Sequence, residues 1–396
     1  MPGRRPPSLT PQEALELHRQ ALVIDTQQPP ITTGIVFTPG MRAAVAELAR
    51  LGRTRAEAGP ILEGVLAREI QTSPEARALY LDMWRRAGVT VACGTFSGFE
   101  RLATAFEGAV RKIANAQAML AALDGALVLV RRAADIERAH AEGRHGLIVD
   151  FQNTVAFGDE LDRIDLFHGL GLRMVQLTYN LRNLVGDGCT EAYQSGLTYF
   201  GREVVRRLNE LRILVDVSHC SEQVGWDALA ASTAPVIVSH ASSKAVADHA
   251  RGKSDELARA VAERGGYFGV VVIPGFIRET PGATLTDVVR QVEHLVGVCG
   301  IDHVGIGTDK AGPGPRTSSL IAYPEAMPAR LPGEFDWSGF RIAEHRQTPE
   351  YTLEGFASFG AWPNITVALA QAGFTEDELR KLLGLNYLRV FRDVVG

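Results

Sequence analysis

Eight short apolar runs, each followed by a longer amphipathic segment, constrain this chain more than any other feature of its sequence. The runs are residues 21–25 (ALVID), 89–95 (VTVACGT), 146–151 (GLIVDF), 173–178 (RMVQLT), 213–217 (ILVDV), 235–239 (PVIVS), 267–273 (YFGVVVI) and 303–307 (HVGIG). Apolar residues in short unbroken runs, not alternating with polar ones, predict strands covered on both faces, the condition of a parallel sheet. Helical patterns lie between them, for example over 161–170, 201–211 and 285–300. Ser254-Asp255-Glu256 reads as a helix start and Gly265-Gly266 as a helix stop. Eight such β-then-α units predict an α/β fold, a (β/α)8 TIM-like barrel, with a long doubly wound sheet as the other arrangement.

At 396 residues the chain is long for one domain, but α/β barrels often exceed the usual domain size as a single unit. The expectation is an N-terminal extension over 1–15 and one barrel domain over 16–396. Two stretches exceed a bare barrel: 31–87, with several helical segments, and 313–359, rich in Pro, Gly, Ser and aromatics. Segments of that kind on the catalytic face shape substrate pockets, although neither carries a readable motif.

Net charge is −5 with no tract of Lys or Arg, so neither nucleic acid nor an anionic membrane is an expected partner. The basic, Pro-rich first seven residues lead into no apolar segment, which argues against a secretory signal and for a cytoplasmic protein. Cys93, Cys189, Cys220 and Cys299 form no CxxC pair and read as buried thiols.

In such a barrel chemistry sits just beyond the strand ends. Those positions hold Gln27, Gln152-Asn153, Tyr179-Asn180, Ser218-His219, Ser239-His240 and Thr308-Asp309. A single histidine after a strand is usually a structural hydrogen-bonder. Two on consecutive strands, both after serine, converge on one mouth and suit a divalent cation, most often zinc. Asp309 would face the same mouth, where a carboxylate accepts a proton; alone, it could equally cap a helix. Arg251, after strand six, could clamp a substrate carboxylate, although an isolated arginine is more often a surface residue. Asp25 and Asp216, inside strands, are expected to fix neighbouring loops. His249 and His303 are given no chemical role.

Several of these segments together resemble one family. Residues 169–183 (GLGLRMVQLTYNLRN), 196–201 (GLTYFG), 214–221 (LVDVSHCS), 235–242 (PVIVSHAS), 249–255 (HARGKSD), 304–309 (VGIGTD) and 383–391 (LGLNYLRVF) are similar to the membrane (renal) dipeptidase family, peptidase M19. The likeness runs from about residue 16 to the end. It implies a zinc-dependent barrel hydrolase of the amidohydrolase type that cleaves dipeptides, often as a homodimer. His219 and His240 match two ligands of one zinc, Arg251 the residue that holds the substrate carboxylate, and Asp309 the acid/base aspartate.

Four residues, after three of the strands, depart from the family pattern. Gln27 and Pro29 stand where a His-x-Asp ligand pair is expected, Gln152 where a glutamate bridges two metals, and Tyr179 where a histidine supports the oxyanion. Proline cannot ligate, and a neutral amide neutralises no metal charge. The expectation is therefore at most one cation, zinc or another divalent metal, on His219 and His240: held weakly, held only with substrate, or not held at all. Tyr179 would donate to an oxyanion or serve as acid or base. Gln27, Gln152, Asn153 and Asn180 would line the substrate pocket. Three functions fit these residues. The first is a dipeptidase-like hydrolase of a dipeptide or related small amide, and it is preferred. The others are a metal-independent lyase or isomerase, and a non-catalytic binder of an amino-acid-like ligand.

Overall fold

The computed structural model of the protein describes residues 6–28, 34–98, 100–312 and 320–396. Each apolar run becomes a strand of one parallel sheet: β1 Ile24–Gln28, β2 Val91–Thr95, β3 His145–Phe151, β4 Leu172–Gln176, β5 Leu214–Asp216, β6 Val236–Ala241, β7 Tyr267–Val270 and β8 Val304–Ile306. They follow one another around the sheet in chain order, all neighbours parallel. A short strand, Leu127–Leu129, adds to the lower part of β3 and was not legible as a separate run.

No backbone ladder joins β8 to β1. Side chains close that seam instead. The Asp25 carboxylate accepts from the Thr308 backbone N–H (2.8 Å) and hydroxyl (2.6 Å) and from the Trp362 indole (3.1 Å). The Asp309 N–H donates to the Gln27 carbonyl at 2.7 Å. An in-strand aspartate thus does what a strand pair does elsewhere in the barrel, and burial raises its pKa to about 6.

Two apolar layers follow from the pleat, since alternate side chains point to opposite faces. One face packs Leu147, Val149, Val175, Val215 and Val238 against the surrounding helices. The other fills the lumen with Ile24, Cys93, Ile148, Met174, Leu214, Ile237 and Tyr267. The tail consists of a helix over Glu376–Arg380, a wider turn over Lys381–Leu385, and a helix over Asn386–Val395. Its Tyr387 and Phe391 join the lumen cluster and plug that end of the barrel. Apolar side chains therefore stop the lumen below, and polar groups gather at the opposite, C-terminal end of the strands.

The segment between β1 and β2 holds three helices, Pro39–Arg50, Arg55–Thr72 and Pro74–Ala87, each started by a Thr or Ser side-chain cap. The first helix of the chain, Pro11–Gln20, begins inside the stretch read as an extension and is capped by Thr10. The long segment after β8 is mostly irregular between 320 and 352. Among the described residues all four cysteines are buried and unpaired, and no helix is long and apolar enough to cross a membrane.

Candidate metal centre and active site

The repeated Ser-His of β5 and β6 is organised by one buried acid. Asp216 accepts from the Ser218 N–H (3.0 Å) and hydroxyl (2.6 Å), and from the Ser239 N–H (3.0 Å) and hydroxyl (2.6 Å). The Ser239 proton is committed to this carboxylate, so its oxygen is left to accept, and it takes the Nδ1–H of His240 at 2.7 Å. His219 is fixed from the other side. Its Nδ1 lies 2.6 Å from Asn180 Oδ1, and the Asn180 amide is oriented unambiguously because its Nδ2 donates to the Ser338 carbonyl at 2.6 Å.

Both rings are thereby held as Nδ1–H tautomers with their Nε2 lone pairs turned into the mouth. Those two nitrogens face each other 2.9 Å apart. Burial, with the nearby Arg251 guanidinium, pushes both imidazoles well below their usual pKa, so neither supplies a proton to bridge the gap. Two converging lone pairs without a shared proton are a donor set that fits a cation. The Asp309 carboxylate completes it: ligand atoms of His219, His240 and Asp309 all lie within 4.8 Å of one another. Gln152 stands at the same point, its Nε2 3.3 Å from His240 Nε2; turned about its last bond, it would present its oxygen there instead.

Asp309 is half-buried and held at φ 51°. Asn180 has φ 54°, so two of the few non-glycine residues in the left-handed region belong to this mouth. Burial raises the Asp309 carboxyl to about 7, opposed by Arg251 and reinforced by Asp25, which poises it to exchange protons near neutrality. Tyr179 stacks on His219, with ring centroids 4.1 Å apart and an interplanar angle of 21°. Burial raises its phenol above the usual tyrosine range, which makes it a hydrogen-bond donor and not a base.

Arg251 is wholly buried. Its guanidinium donates to the Ser218 carbonyl and, at 2.9 Å, to the His240 carbonyl, while Nε has no partner. No carboxylate pairs with it among the described residues. Asp309 acts on it electrostatically without forming an ion pair, so the buried guanidinium keeps capacity for an incoming anion. His249, given no chemical role in the sequence reading, accepts the Arg251 N–H at 3.0 Å and fixes its loop.

The remaining strand-end residues divide. Asn153 Oδ1 is occupied by Asn183 Nδ2 at 2.7 Å, within a network that builds the loop after β4. Gln27 and its neighbour Gln28 are buried, and among the described residues none of their four amide N and O atoms makes a hydrogen bond of normal geometry, although Gln27 lies beside the Asp150 carboxylate. Pro29 lies outside the described residues. Sequence reasoning missed three buried charges at this end. Lys253 donates to the Cys220 carbonyl at 2.6 Å, and burial lowers its pKa. Lys310 donates to the Gly312 carbonyl and is lowered to about 7. The Asp150 carboxylate makes no hydrogen bond of normal geometry, although Thr95 and Gln27 are its polar neighbours; burial raises it well above the usual range. In-strand aspartate and lysine one position past Asp309 and two past Arg251 were the available signals.

The family model for membrane dipeptidases, peptidase family M19, matches residues 74–320, more than half of the chain. The chain belongs to the membrane dipeptidase family. Among curated relatives, a dipeptidase, tcpJ, of Claviceps purpurea is 28% identical over 67% of this chain, and the match spans only 55% of that longer protein. An uncharacterised protein encoded in the pqqA 5′ region of Klebsiella pneumoniae is 26% identical over 72% of this chain and 95% of its own length. Among solved structures, an amidohydrolase from Pseudomonas aeruginosa superposes with a TM-score of 0.72 at 28% identity, covering 98% of this chain and 99% of the other. A Rhodobacter sphaeroides metallo peptidase liganded with a phosphinate mimic of the dipeptide L-Ala-D-Ala superposes with a TM-score of 0.67 at 21% identity, covering 83% and 96%. These likenesses confirm the α/β barrel. Within this family the cluster of His219, His240 and Asp309 is a three-residue candidate metal site.

Proposed function

We propose that this dipeptidase-family barrel is a hydrolase of dipeptides or closely related small amides with a free carboxylate, working with one divalent cation. The observation that carries the reading is the pair of Nε2 lone pairs 2.9 Å apart, each aimed by a partner that has taken the other ring proton. His219 and His240 would hold the cation, with Asp309 and Gln152 at its side. Bound there, a divalent metal polarises a substrate carbonyl and acidifies a water.

The chain's own groups supply the rest. Arg251, buried without a carboxylate partner, receives the substrate carboxylate and fixes the register of the scissile amide. Asp309, with its carboxyl at about 7, takes the proton from the attacking water and returns it to the leaving amine. Tyr179 keeps its phenol proton and donates to the oxygen on which charge develops. The dipeptide-mimic complex of the Rhodobacter sphaeroides relative supports a ligand of this size. Gln27 and the neutral Gln152 argue for one metal and not two. Zinc is the first candidate, and a cytoplasmic setting and a homodimer belong to the same reading.

The test is elemental analysis of the purified protein together with a screen of dipeptides and N-acyl amino acids, with and without added zinc. One cation per chain and metal-dependent release of an amino acid are expected. Full loading with two cations, or hydrolysis indifferent to metal removal, would overturn the proposal.

A further inference from the structure

The segment that follows β8 reaches back over the mouth and meets the candidate metal centre at Asn180. Asp336 builds the contact: it accepts from the Ser338 N–H at 2.9 Å and pairs with Arg330 at 2.6 Å. The turn it stabilises presents the Ser338 carbonyl to Asn180 Nδ2 at 2.6 Å. Gly339 follows at φ 71°, and a Cβ there would lie 2.9 Å from both Asn180 Cβ and Leu181 Cγ. Only glycine lets the covering loop close to this distance. The same loop is tied down further along, where His249 Nε2 donates to the His345 carbonyl at 3.2 Å.

The Asn180 backbone does not move with the loop. Thr190 holds its carbonyl through both N–H (3.0 Å) and hydroxyl (2.9 Å). Gly188 packs so closely that a Cβ would fall 2.0 Å from the Asn180 carbonyl. What remains adjustable is the amide plane. Its two ends differ, and the Ser338 carbonyl selects which end faces His219. With the loop closed, His219 meets an oxygen and keeps Nε2 as a lone pair. With the loop lifted, only the weak Cys189 thiol donor, 3.3 Å from Asn180 Oδ1, still favours the oxygen, and a thiol can accept as well as donate; the amide is then able to present Nδ2, which would hold the ring in the opposite tautomer, with a hydrogen on Nε2.

We propose that Asn180 is a positioning residue that couples closure of the 335–346 loop to metal affinity, by setting the tautomer of His219. This rests on the metal reading above. Such outer partners of a ligating histidine typically change metal affinity 10- to 100-fold. Because linkage is reciprocal, metal must stabilise the closed loop by the same factor.

The experiment uses the full chain and two readouts, zinc affinity by chelator competition and the rate of limited proteolysis within 335–346. Zinc is expected to slow cleavage of the wild-type loop. Gly339→Ala should weaken zinc by about tenfold and reduce the protection. Asn180→Asp offers an oxygen to His219 whichever way it turns, but repels the Ser338 carbonyl. It should keep zinc affinity while zinc ceases to protect the loop. The double variant should then bind zinc as Asn180→Asp does, a rescue that a merely structural role for Asn180 would not produce. A double variant as weak as Gly339→Ala, or wild-type cleavage unaffected by bound zinc, overturns the coupling alone. Wild-type protein that binds no zinc overturns the metal reading and the coupling with it.

Discussion

The two halves of the barrel mouth are built to different standards. On the β5–β6 side the groups behind the histidines are paired: Asp216 takes four hydrogen bonds, Ser239 relays to His240, and Asn180 joins His219 to the Ser338 carbonyl. On the β1 side, Gln27 and Gln28 are buried, and neither their amides nor the Asp150 carboxylate beside them makes a hydrogen bond of normal geometry. Buried polar groups ordinarily find partners, so unpaired ones call for a functional account. The contrast is that of a candidate donor set whose supporting groups are paired beside a region whose amide side chains are left without hydrogen bonds of normal geometry. Groups behind a ligating histidine orient it and tune its affinity, so the proposed metal site should depend on Asp216, Ser239 and Asn180 as well as on its ligands.

The largest effect should come from the paired half. Asp309→Asn is expected to cut turnover by about 10²–10⁴-fold, read as kcat on the best dipeptide. Without a cation Asp309 loses its proton as pH rises through about 7, and a divalent charge beside it draws that titration lower, so activity should rise with pH and level off below about 7. The folded pKa of Asp309 lies above the ordinary carboxylate value, so the folded state binds this proton more tightly than the unfolded one. Asp309 therefore costs stability as pH rises from the unfolded value toward about 7, and the asparagine variant should melt higher than wild type at pH 8. A variant that kept turnover would remove Asp309 from the mechanism.

Next in size, Arg251→Met should raise KM or abolish binding of carboxylate-bearing substrates, by roughly 2–5 kcal/mol. Amidated substrates should lose far less, and equal losses for both would deny the clamp. Ser239→Ala removes the acceptor for the His240 Nδ1–H and should weaken zinc about 10- to 100-fold with the ligands untouched. Gln27→Leu should have the smallest effect. It replaces amide atoms lacking normal hydrogen bonds with an apolar group of similar size, so stability should change by about 1 kcal/mol or rise, with metal content unchanged. A fall in metal content would place Gln27 in the site and erase the contrast.

Much of this was legible in the sequence. The eight strands appear where unbroken apolar runs predict them, because burial on both faces leaves a composition that nothing else requires. Their ends differ by a few residues. The approach of His219, His240 and Asp309 followed from strand order alone. What could not be read was how the side chains are spent. Asn180 and Asn153 look alike as polar residues past a strand, yet one orients a histidine and the other joins Asn183. That distinction is set by Ser338 and Asn183, on loops whose paths no periodicity encodes. Lys253, Lys310 and Asp150 were passed over because charge in a sequence carries no sign of burial.

The seam between β8 and β1 gives the barrel a particular vulnerability. Elsewhere strands are joined by repeated backbone bonds, which survive substitution of any one side chain. Here the hoop is fastened by Asp25, which holds Thr308 and Trp362, by the Thr26 hydroxyl, which donates to the Ile306 carbonyl at 3.1 Å, and by one backbone bond from Asp309 to Gln27. The proposed acid/base residue is thus part of the clasp. Any slackening of that join would shift the reacting carboxylate before it disturbed the rest of the barrel, so damage to the fold at this point should register first as lost chemistry.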